Sequence, residues 1–427
     1  MKKILILILS LSISMLACNK KKADDKKADD GKQPVAGDMK GPADAMTPDK
    51  PAEDPNWVKA ENVKPEDEKV ECGGWNACKV TVITKKVKEE IEKQKDFENL
   101  EIQFTEEVTN DQFKTVANLP WVKKLSVAST KVDNLEPVAK LAKLEELKAS
   151  SLKWEDDKER KKRLSLKPLA GLKNLKKLTF YGTRVTDVSA LAEAVTLTHA
   201  NFYMSEVEDI KFVEKLVALE ELDLYACPVT DLAPLAGLTK LRVLNLYMNK
   251  STDFSVLSKL TALEDIWLQF TTFSDLNLLA GATKMKSLSL NWLKEGGVKD
   301  LSAVKNMPEL DSLSLTDSAV EKLDDLANCK KLRRVDLGNT KIKDIKALAE
   351  LTELSDVAIP KTAVADLKPL AKAENLWSLN ISETKVKSLA PLLKLTKMRT
   401  LTVSKGFPKG ELDKLQKAMP ELKINER

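Results

Sequence analysis

Residues 219–235 read LEELDLYACPVTDLAPL, and the apolar triplet that begins at Leu222 returns at intervals of 22 residues. Six such triplets stand in one register, and they begin at Leu178, Ala200, Leu222, Leu244, Ile266 and Leu288. After three extra residues near 294–297 the series resumes at Leu313, Val335, Val357, Leu379 and Leu401. Upstream it includes Leu125 and Leu147, which are followed by nine extra residues within 153–163. A fixed period of this length predicts stacked repeats rather than independent domains.

The repeated unit resembles the leucine-rich repeat, and its length and its return segment DLAPLAGL resemble the repeats of bacterial internalins in particular. This resemblance implies an α/β solenoid, a right-handed superhelix with a parallel sheet on its concave face and short helical or 3-10 turns on its convex face. Alternation along the strand directs Leu222 and Leu224 inward, and Asp223 and Tyr225 toward the concave face. Because one unit cannot bury its leucines alone, we expect about 13 stacked units over residues 101–405.

Composition argues against most enzyme classes. His199 is the only histidine of the chain, which excludes histidine-based catalytic triads and histidine-rich zinc sites. The 70 Lys and Arg residues nearly balance the 65 Asp and Glu residues, and they are scattered rather than gathered in one block, so nucleic-acid binding is not indicated. We therefore predict no catalytic residues, no cofactor and no bound metal.

Residues 1–17 have the layout of a secretion signal, in which Lys2 and Lys3 precede an apolar run too short to span a bilayer as a helix. Residues 15–18, MLAC, resemble the lipobox of bacterial lipoproteins. This implies that Cys18 is acylated and that the protein is held in the cell envelope, at the outer membrane, facing the periplasm or the cell surface. Residues 18–70 are rich in charge and proline and are typical of a disordered tether. The alternative is a plain cleaved signal followed by a disordered tail.

Both ends of the array are predicted to be capped, by residues 71–100 and by residues 406–427. Cys72 and Cys78 flank a short loop, and we expect them to form a disulfide in an oxidising compartment, with two unpaired thiols as the alternative. Leu412, Leu415, Met419 and Leu422 are spaced for an apolar helical stripe in the C-terminal cap. Cys227 stands three residues after the second leucine of its unit, and Cys329 occupies the position that Leu238 holds in another unit. Both are interpreted as buried structural thiols.

An acidic column stands just before the return segment of most units. It is either a set of N-caps for the convex turns or, less simply, a ladder of metal ligands. Its members are Asp187, Asp209, Asp231, Asp253, Asp275, Asp300, Asp344 and Asp366. A second column, three residues after the second leucine, is made mostly of hydroxyl side chains that are expected to satisfy buried turn groups.

All four tyrosines of the chain occupy one outward repeat position on the concave side, and they are Tyr181, Tyr203, Tyr225 and Tyr247. Trp267, Asp223 and Asn245 are predicted to adjoin them. Aromatic side chains beside amides and acids are typical of protein-binding hot spots. The alternative is cross-strand stacking that only stabilises the sheet. Beyond Leu313 the same position carries small side chains, so binding is expected in the N-terminal part of the array.

The sequence thus predicts a non-catalytic, lipid-anchored and monomeric protein whose concave face binds a protein or peptide. The insertion within 153–163, which contains Trp154 and mixed charge, is either a contact arm or a solvated loop. Two other functions stay open. One is a structural envelope spacer without a specific ligand, and the other is an enzyme, which would need a pocket of convergent titratable groups.

Overall fold

The computed structural model describes residues 54, 56–73, 76–153 and 161–427. The predicted signal segment and lipobox, with Cys18, lie outside the described residues, and so do residues 154–160 of the insertion. The remainder, from residue 55 to residue 427, forms one compact unit.

Each unit contributes one short strand to the main sheet, because the alternating leucine triplet has a continuous apolar face to bury. The strands are β1 (Val70–Gly73), β2 (Ala77–Val80), β3 (Glu101–Phe104), β4 (Lys124–Ser126), β5 (Glu146–Lys148), β6 (Leu164–Ser165), β7 (Lys177–Thr179), β8 (Val185–Thr186), β9 (His199–Asn201), β10 (Glu221–Asp223), β11 (Val243–Asn245), β12 (Asp265–Trp267), β13 (Ser287–Ser289), β14 (Ser312–Ser314), β15 (Arg334–Asp336), β16 (Asp356–Ala358), β17 (Ser378–Asn380), β18 (Thr400–Val403) and β19 (Lys423–Glu426).

Within the described residues, 17 of these strands form one sheet, and β6 pairs with β8 in a small second sheet. The strands of the main sheet follow one another in chain order and pair in parallel, except that β1 is antiparallel to β2. Leu222 pairs with Ala200 on one side and Leu244 on the other, so neighbouring units are in the register of the sequence repeat.

The return segments are short helices. The α-helices are α1 (Lys85–Glu92), α2 (Asn110–Phe113) and α3 (Lys409–Ala418). The 3-10 helices span Pro65–Glu68, Phe97–Asn99, Lys114–Asn118, Glu136–Lys140, Lys167–Leu169, Val188–Glu193, Lys211–Lys215, Ala233–Gly237, Ser255–Lys259, Leu276–Leu279, Lys294–Gly296, Ser302–Asn306, Asp324–Asn328, Lys346–Leu348, Lys368–Leu370 and Ala390–Leu392. The parallel sheet with 3-10 returns confirms the predicted α/β leucine-rich-repeat solenoid.

One continuous apolar core runs between the sheet and the 3-10 helices. Leu222 and Leu224 are 1% and 0% exposed, as their inward alternation requires. In the units of β4 to β17 that join the main sheet, the backbone turns with a positive φ two residues after the second apolar residue of the triplet, for example 53° at Ala226 and 59° at Met248. This left-handed residue directs the chain from the strand into the return loop.

The aspartates of the acidic column act as turn caps. Seven of the eight accept a hydrogen bond from the backbone N–H two residues further on, at 2.8–3.2 Å. The eighth, Asp187, accepts one from the Ser165 hydroxyl instead. No group of three or more His, Cys, Asp or Glu side chains suited to a metal ion occurs in the described ranges. One carboxylate for each turn therefore has a structural use that needs no ion.

The folded unit begins earlier than the boundary at residue 70 that composition suggests. The backbone of Val58 exchanges two hydrogen bonds with the Asn118 side chain, at 2.9 and 2.8 Å. The Trp57 ring lies 5.8 Å from the Lys88 ammonium, which belongs to α1. The charged residues around Trp57 and Val58 give this segment the composition of a tether, but the Val58 backbone and the Trp57 ring contact the folded unit. Over the described residues no helix combines the length and apolar character needed to cross a bilayer.

The two caps close the ends of the array. Cys72 and Cys78 face each other across β1 and β2 and are joined by a disulfide. In the C-terminal cap the helix ends at Ala418, and the chain then continues into β19, which pairs with β18. The predicted apolar helical stripe is therefore only partly helical, because Pro420 cannot continue the helix.

Candidate functional site

The four tyrosines stack on one another. The ring centroids are 4.4 Å apart between Tyr181 and Tyr203, 4.0 Å between Tyr203 and Tyr225, and 4.3 Å between Tyr225 and Tyr247. Their planes differ by only 11–14°. This tyrosine ladder lies two residues beyond the ends of β7, β9, β10 and β11, at the carboxyl edge of the sheet.

Polar side chains on the strands position the ladder. The N–H of Tyr225 donates to Asp223 at 2.9 Å, and the N–H of Tyr247 donates to Asn245 at 3.1 Å. The same contact occurs in the C-terminal half, where Gly338 donates to Asp336 at 3.0 Å. Asp223 and Asn245, predicted as binding residues, therefore have a structural role in the turn that does not depend on a ligand.

Stacking changes the chemistry of the phenol groups. Burial, together with contacts to neighbouring phenols, raises the pKa of Tyr203 well above its usual range. The same causes raise the pKa of Tyr247 to about 12. Tyr203 and Tyr247 thus hold their protons, and their neutral hydroxyl groups can both donate and accept hydrogen bonds.

The aromatic surface continues beyond the tyrosines in a way that the sequence analysis missed. At the next two units the tyrosine position carries Gln269 and Asn291, and the aromatic side chain moves one residue on. Phe270 packs edge-on against Tyr247 at 5.2 Å and stacks on Trp292 at 5.4 Å. The signal was available, since Phe270 and Trp292 are themselves 22 residues apart.

Phe270 and Trp292 belong to the left-handed position of the repeat, which we call the outer column. Its other members in this region are Gly182, Met204, Ala226 and Met248. Met204 and Met248 are each 48% exposed, Trp292 is 45% exposed, and the adjoining Tyr181 is 46% exposed. Large apolar side chains are thus presented to solvent along this edge of the sheet, where core packing does not require them.

Trp267 lies apart from the ladder, on the sheet itself. It is half-buried on β12, opposite Asn245 on β11. Together with His199, Asp223 and Asn245 it lines a shallow depression of about 430 Å³ on the concave face. Burial raises the pKa of Asp223, although hydrogen bonds from the Tyr225 backbone and from Asn245 act in the opposite direction.

The opposite, amino edge of the sheet carries a row of charged side chains that we call the charge ladder. Some of its repeats also carry the tyrosine ladder. Arg242 lies 3.5 Å from Glu220 and 2.8 Å from Glu264, and Glu264 lies 2.7 Å from Lys286. Each of these residues directly precedes a strand. Hydrogen bonds from Arg242 and Lys286 lower the pKa of Glu264 to about 2.

The C-terminal half has no counterpart to the tyrosine ladder among its described residues. The ladder position there carries Thr316, Gly338, Pro360, Ser382 and Ser404. Cys227 and Cys329 are buried, unpaired thiols, and burial raises the pKa of each to about 11. A thiol that keeps its proton is a poor nucleophile, so neither residue marks a catalytic centre.

Known proteins share this architecture. A family model described as Leucine Rich repeats (2 copies) matches residues 217–259. No curated protein matches the sequence. Among solved structures, an internalin (inlF) from Listeria monocytogenes is similar at 25% identity with a TM-score of 0.65, over 73% of this chain and 89% of that one.

Two further solved structures show the fold alone. A leucine-rich-repeat protein of Leptospira interrogans has a TM-score of 0.67 at 17% identity, over 81% of this chain and 93% of that one. The plant peptide hormone receptor RGFR1, in complex with RGF2, has a TM-score of 0.56 at 13% identity, over 81% of this chain and 61% of the receptor. The 22-residue register, the parallel sheet with its 3-10 returns and these matches together show that the chain has the leucine-rich-repeat fold.

Proposed function

We propose that this chain is a non-catalytic recognition protein that binds a protein or peptide through the aromatic edge of its N-terminal half. The observation that carries the proposal is the exposed row formed by the tyrosine ladder and the outer column. Leucine-rich-repeat domains are typical of protein–protein interaction and are generally binding scaffolds rather than enzymes. The plant receptor named above was solved with its peptide hormone bound.

The physical chemistry of the ladder suits this role. Tyrosine side chains are rigid and half apolar, so they bury contact area at a modest cost in conformational entropy and still offer a hydrogen bond. Stacking restricts them further before any partner arrives. A surface that is already ordered loses less entropy on binding, which favours affinity.

The rival function is a structural spacer without a specific ligand, and one observation favours it. The central rings, Tyr203 and Tyr225, use both faces in stacking, which would stabilise the sheet even without a partner. That role does not account for Met204, Met248 and Trp292, whose apolar side chains are exposed beside the ladder. The binding function therefore explains more of the surface.

The proposal can be tested by comparing the proteins that bind to three immobilised forms of the chain. Immobilised wild-type chain, the double variant Tyr203→Ala/Tyr225→Ala and the control Ser382→Ala are each exposed to extracellular and envelope proteins. We expect a protein that wild type and Ser382→Ala retain and that the double variant loses, with affinity reduced by about 2 kcal/mol or more. A partner bound equally by all three chains, with only stability lowered in the double variant, would assign the ladder to the spacer role.

We also propose that the binding unit is held at the cell envelope by a lipid on Cys18. Residues 15–18 support this, together with the charged segment that follows. Attachment by several acyl chains is effectively permanent, since each buried CH₂ contributes about 0.8 kcal/mol. Cys18→Ser should prevent acylation and leave the precursor uncleaved. A mature protein that is freely soluble and begins at another residue would contradict the anchor.

A further inference from the structure

The outer column contains a gap between its two methionines. Along five consecutive units it carries Met204, Ala226, Met248, Phe270 and Trp292, so Ala226 is the one small side chain. Met204 and Met248 stand on either side of it and are each 48% exposed. Neighbouring strands lie about 4.8 Å apart, so the two methionines are separated by about 10 Å. We call this place the notch, with the half-buried Ala226 as its floor and the exposed methionines as its walls.

Backbone geometry does not explain the small residue. The φ angle is 53° at Ala226, and it is 55° at Met204, 59° at Met248, 60° at Phe270 and 54° at Trp292. The same left-handed turn therefore accepts methionine, phenylalanine and tryptophan in the adjacent units. Alanine at this position leaves space that the repeat itself would allow a large side chain to fill.

The concave face beside the notch is acidic. The outward positions of β9 to β12 carry three carboxylates, Glu221, Asp223 and Asp265, and no Lys or Arg. Asp223 lies in the same unit as Ala226, with Tyr225 between them. Its hydrogen-bond partners are neutral, namely the Tyr225 N–H at 2.9 Å, the Asn201 amide at 3.4 Å and the Asn245 side chain. A half-buried carboxylate with amide partners favours a cation from outside.

We propose that the partner presents a basic peptide segment that straddles the tyrosine ladder at Tyr225. On the outer side an apolar side chain enters the notch above Ala226, and on the inner side a Lys or Arg side chain reaches Asp223. This inference rests on the proposed binding function and names the chemistry of its partner. Flexible, polarisable methionine walls suit apolar side chains of different shapes. The tyrosine hydroxyls between the two sites can bond to the peptide backbone.

The probe is a displayed library of random peptides selected on the full chain. We expect the enriched peptides to combine a large apolar residue with a nearby Lys or Arg, and their binding to weaken as salt is added. Ala226→Met, which fills the notch, should reduce the affinity of a synthesised peptide by about ten-fold or more. Asp223→Asn keeps an oxygen for the Tyr225 N–H but removes the charge, and we expect a similar loss.

Two matched controls lie in the C-terminal half. Lys361→Met places the same side chain at the outer column, where φ is 56°. Asp336→Asn repeats the change at the aspartate that caps Gly338. Both should leave peptide affinity unchanged. Melting curves will show whether each variant folds, and should Ala226→Met fail to fold, Met204→Ala and Met248→Ala remove the walls instead and should also weaken binding.

The outcomes separate the inference from the function on which it rests. Enrichment of acidic peptides would overturn the proposal that the partner presents a basic segment. Affinities that do not change in the notch variants and in Asp223→Asn would overturn it as well. If Tyr203→Ala/Tyr225→Ala still abolishes binding in that case, the ladder remains the binding surface. Peptides that bind equally well to all variants, the tyrosine double variant included, would overturn both.

Discussion

The two edges of the sheet carry ladders of opposite chemistry built by the same repeat. At the carboxyl edge Tyr181, Tyr203, Tyr225 and Tyr247 stack with their faces in contact, and at the amino edge charges of alternating sign run from Glu220 to Lys286. Both columns arise because a residue recurs at one place in a unit of constant length. The length of the repeat fixes where a column forms. The type of residue in the column decides whether its side chains interact mainly with water or with one another.

The difference lies in how solvent acts on each ladder. The side chains of Arg242 and Lys286 are 44% and 52% exposed, so water and salt screen their attraction to the carboxylates. Stacked rings exclude water from the faces that meet, and their contact does not depend on ionic strength. Each ladder should therefore be disrupted by a different condition.

Alkaline pH should have the largest effect, because it acts on Tyr203 and Tyr247 together. Burial raises the pKa of Tyr203, and it raises that of Tyr247 to about 12, whereas unfolded tyrosine titrates at about 10. The stabilisation is complete below about pH 10 and is lost as pH rises through about 12. Since all four tyrosines of the chain lie in the ladder, phenolate absorbance reports on it alone. A single transition near pH 10 would contradict this.

Removal of a central rung should come next. Tyr225→Ala deletes two stacking contacts, each contributing about 0.5–1.5 kcal/mol, so we expect a loss of about 1–3 kcal/mol in the free energy of unfolding. Tyr181→Ala deletes only one such contact and should lower it by about half as much. Urea denaturation at low and high salt measures both values. Equal losses for the two variants would show that the rungs do not act through stacking.

The acidic column lies on neither edge and provides a reference. The Asp231 carboxylate accepts the Ala233 N–H at 2.9 Å, so Asp231→Ala should lower the free energy of unfolding by about 0.5–2 kcal/mol. Calcium should alter the melting temperature of wild type little. A large calcium-dependent rise that Asp231→Ala abolishes would favour the metal ladder instead.

The charge ladder should give the smallest change. Glu264→Gln removes both ion pairs of its central carboxylate, and we expect a loss of about 1 kcal/mol or less, which disappears at high salt. The low pKa of Glu264, about 2, gives stability that is present above about pH 4.3 and is lost as pH falls toward 2. Thermal melts from pH 6 to pH 2 should converge for wild type and Glu264→Gln. A difference that persists in high salt would contradict the screening argument.

Much of the fold could be predicted from the sequence because it follows from spacing. A leucine at a constant interval must lie in the same place in every unit, so the sheet, its register and the column of tyrosines are all visible in the sequence. Ring contacts are not, because they depend on side-chain rotamers and not on residue number. For Tyr203 and Tyr225 the sequence analysis left two alternatives open, a protein-binding hot spot and cross-strand stacking. The structure shows that the rings stack, and binding through them is our proposal.

Two features were missed because they depend on single side chains. Trp267 was expected to extend the tyrosine patch one column over, and from its place on the strand it lines the depression. The contact of Phe270 with Tyr247, made from the left-handed position that follows, was not foreseen. The docking of Trp57 and Val58 was missed because their two apolar side chains are outnumbered by charged neighbours. Composition averages over a segment, whereas packing depends on individual side chains.

The constant length of the repeat also limits which insertions and deletions the chain can accept during evolution. Both insertions in the repeat series fall outside the aromatic row, the first before Tyr181 and the second just after Trp292. Within the row, the position of each ring depends on the number of residues that separate it from the preceding ring. Loss or gain of one whole 22-residue unit should shorten or lengthen the row by a single rung. An insertion or deletion of any other length between residues 181 and 292 should divide the row. This surface can therefore change in length during evolution only by whole repeat units.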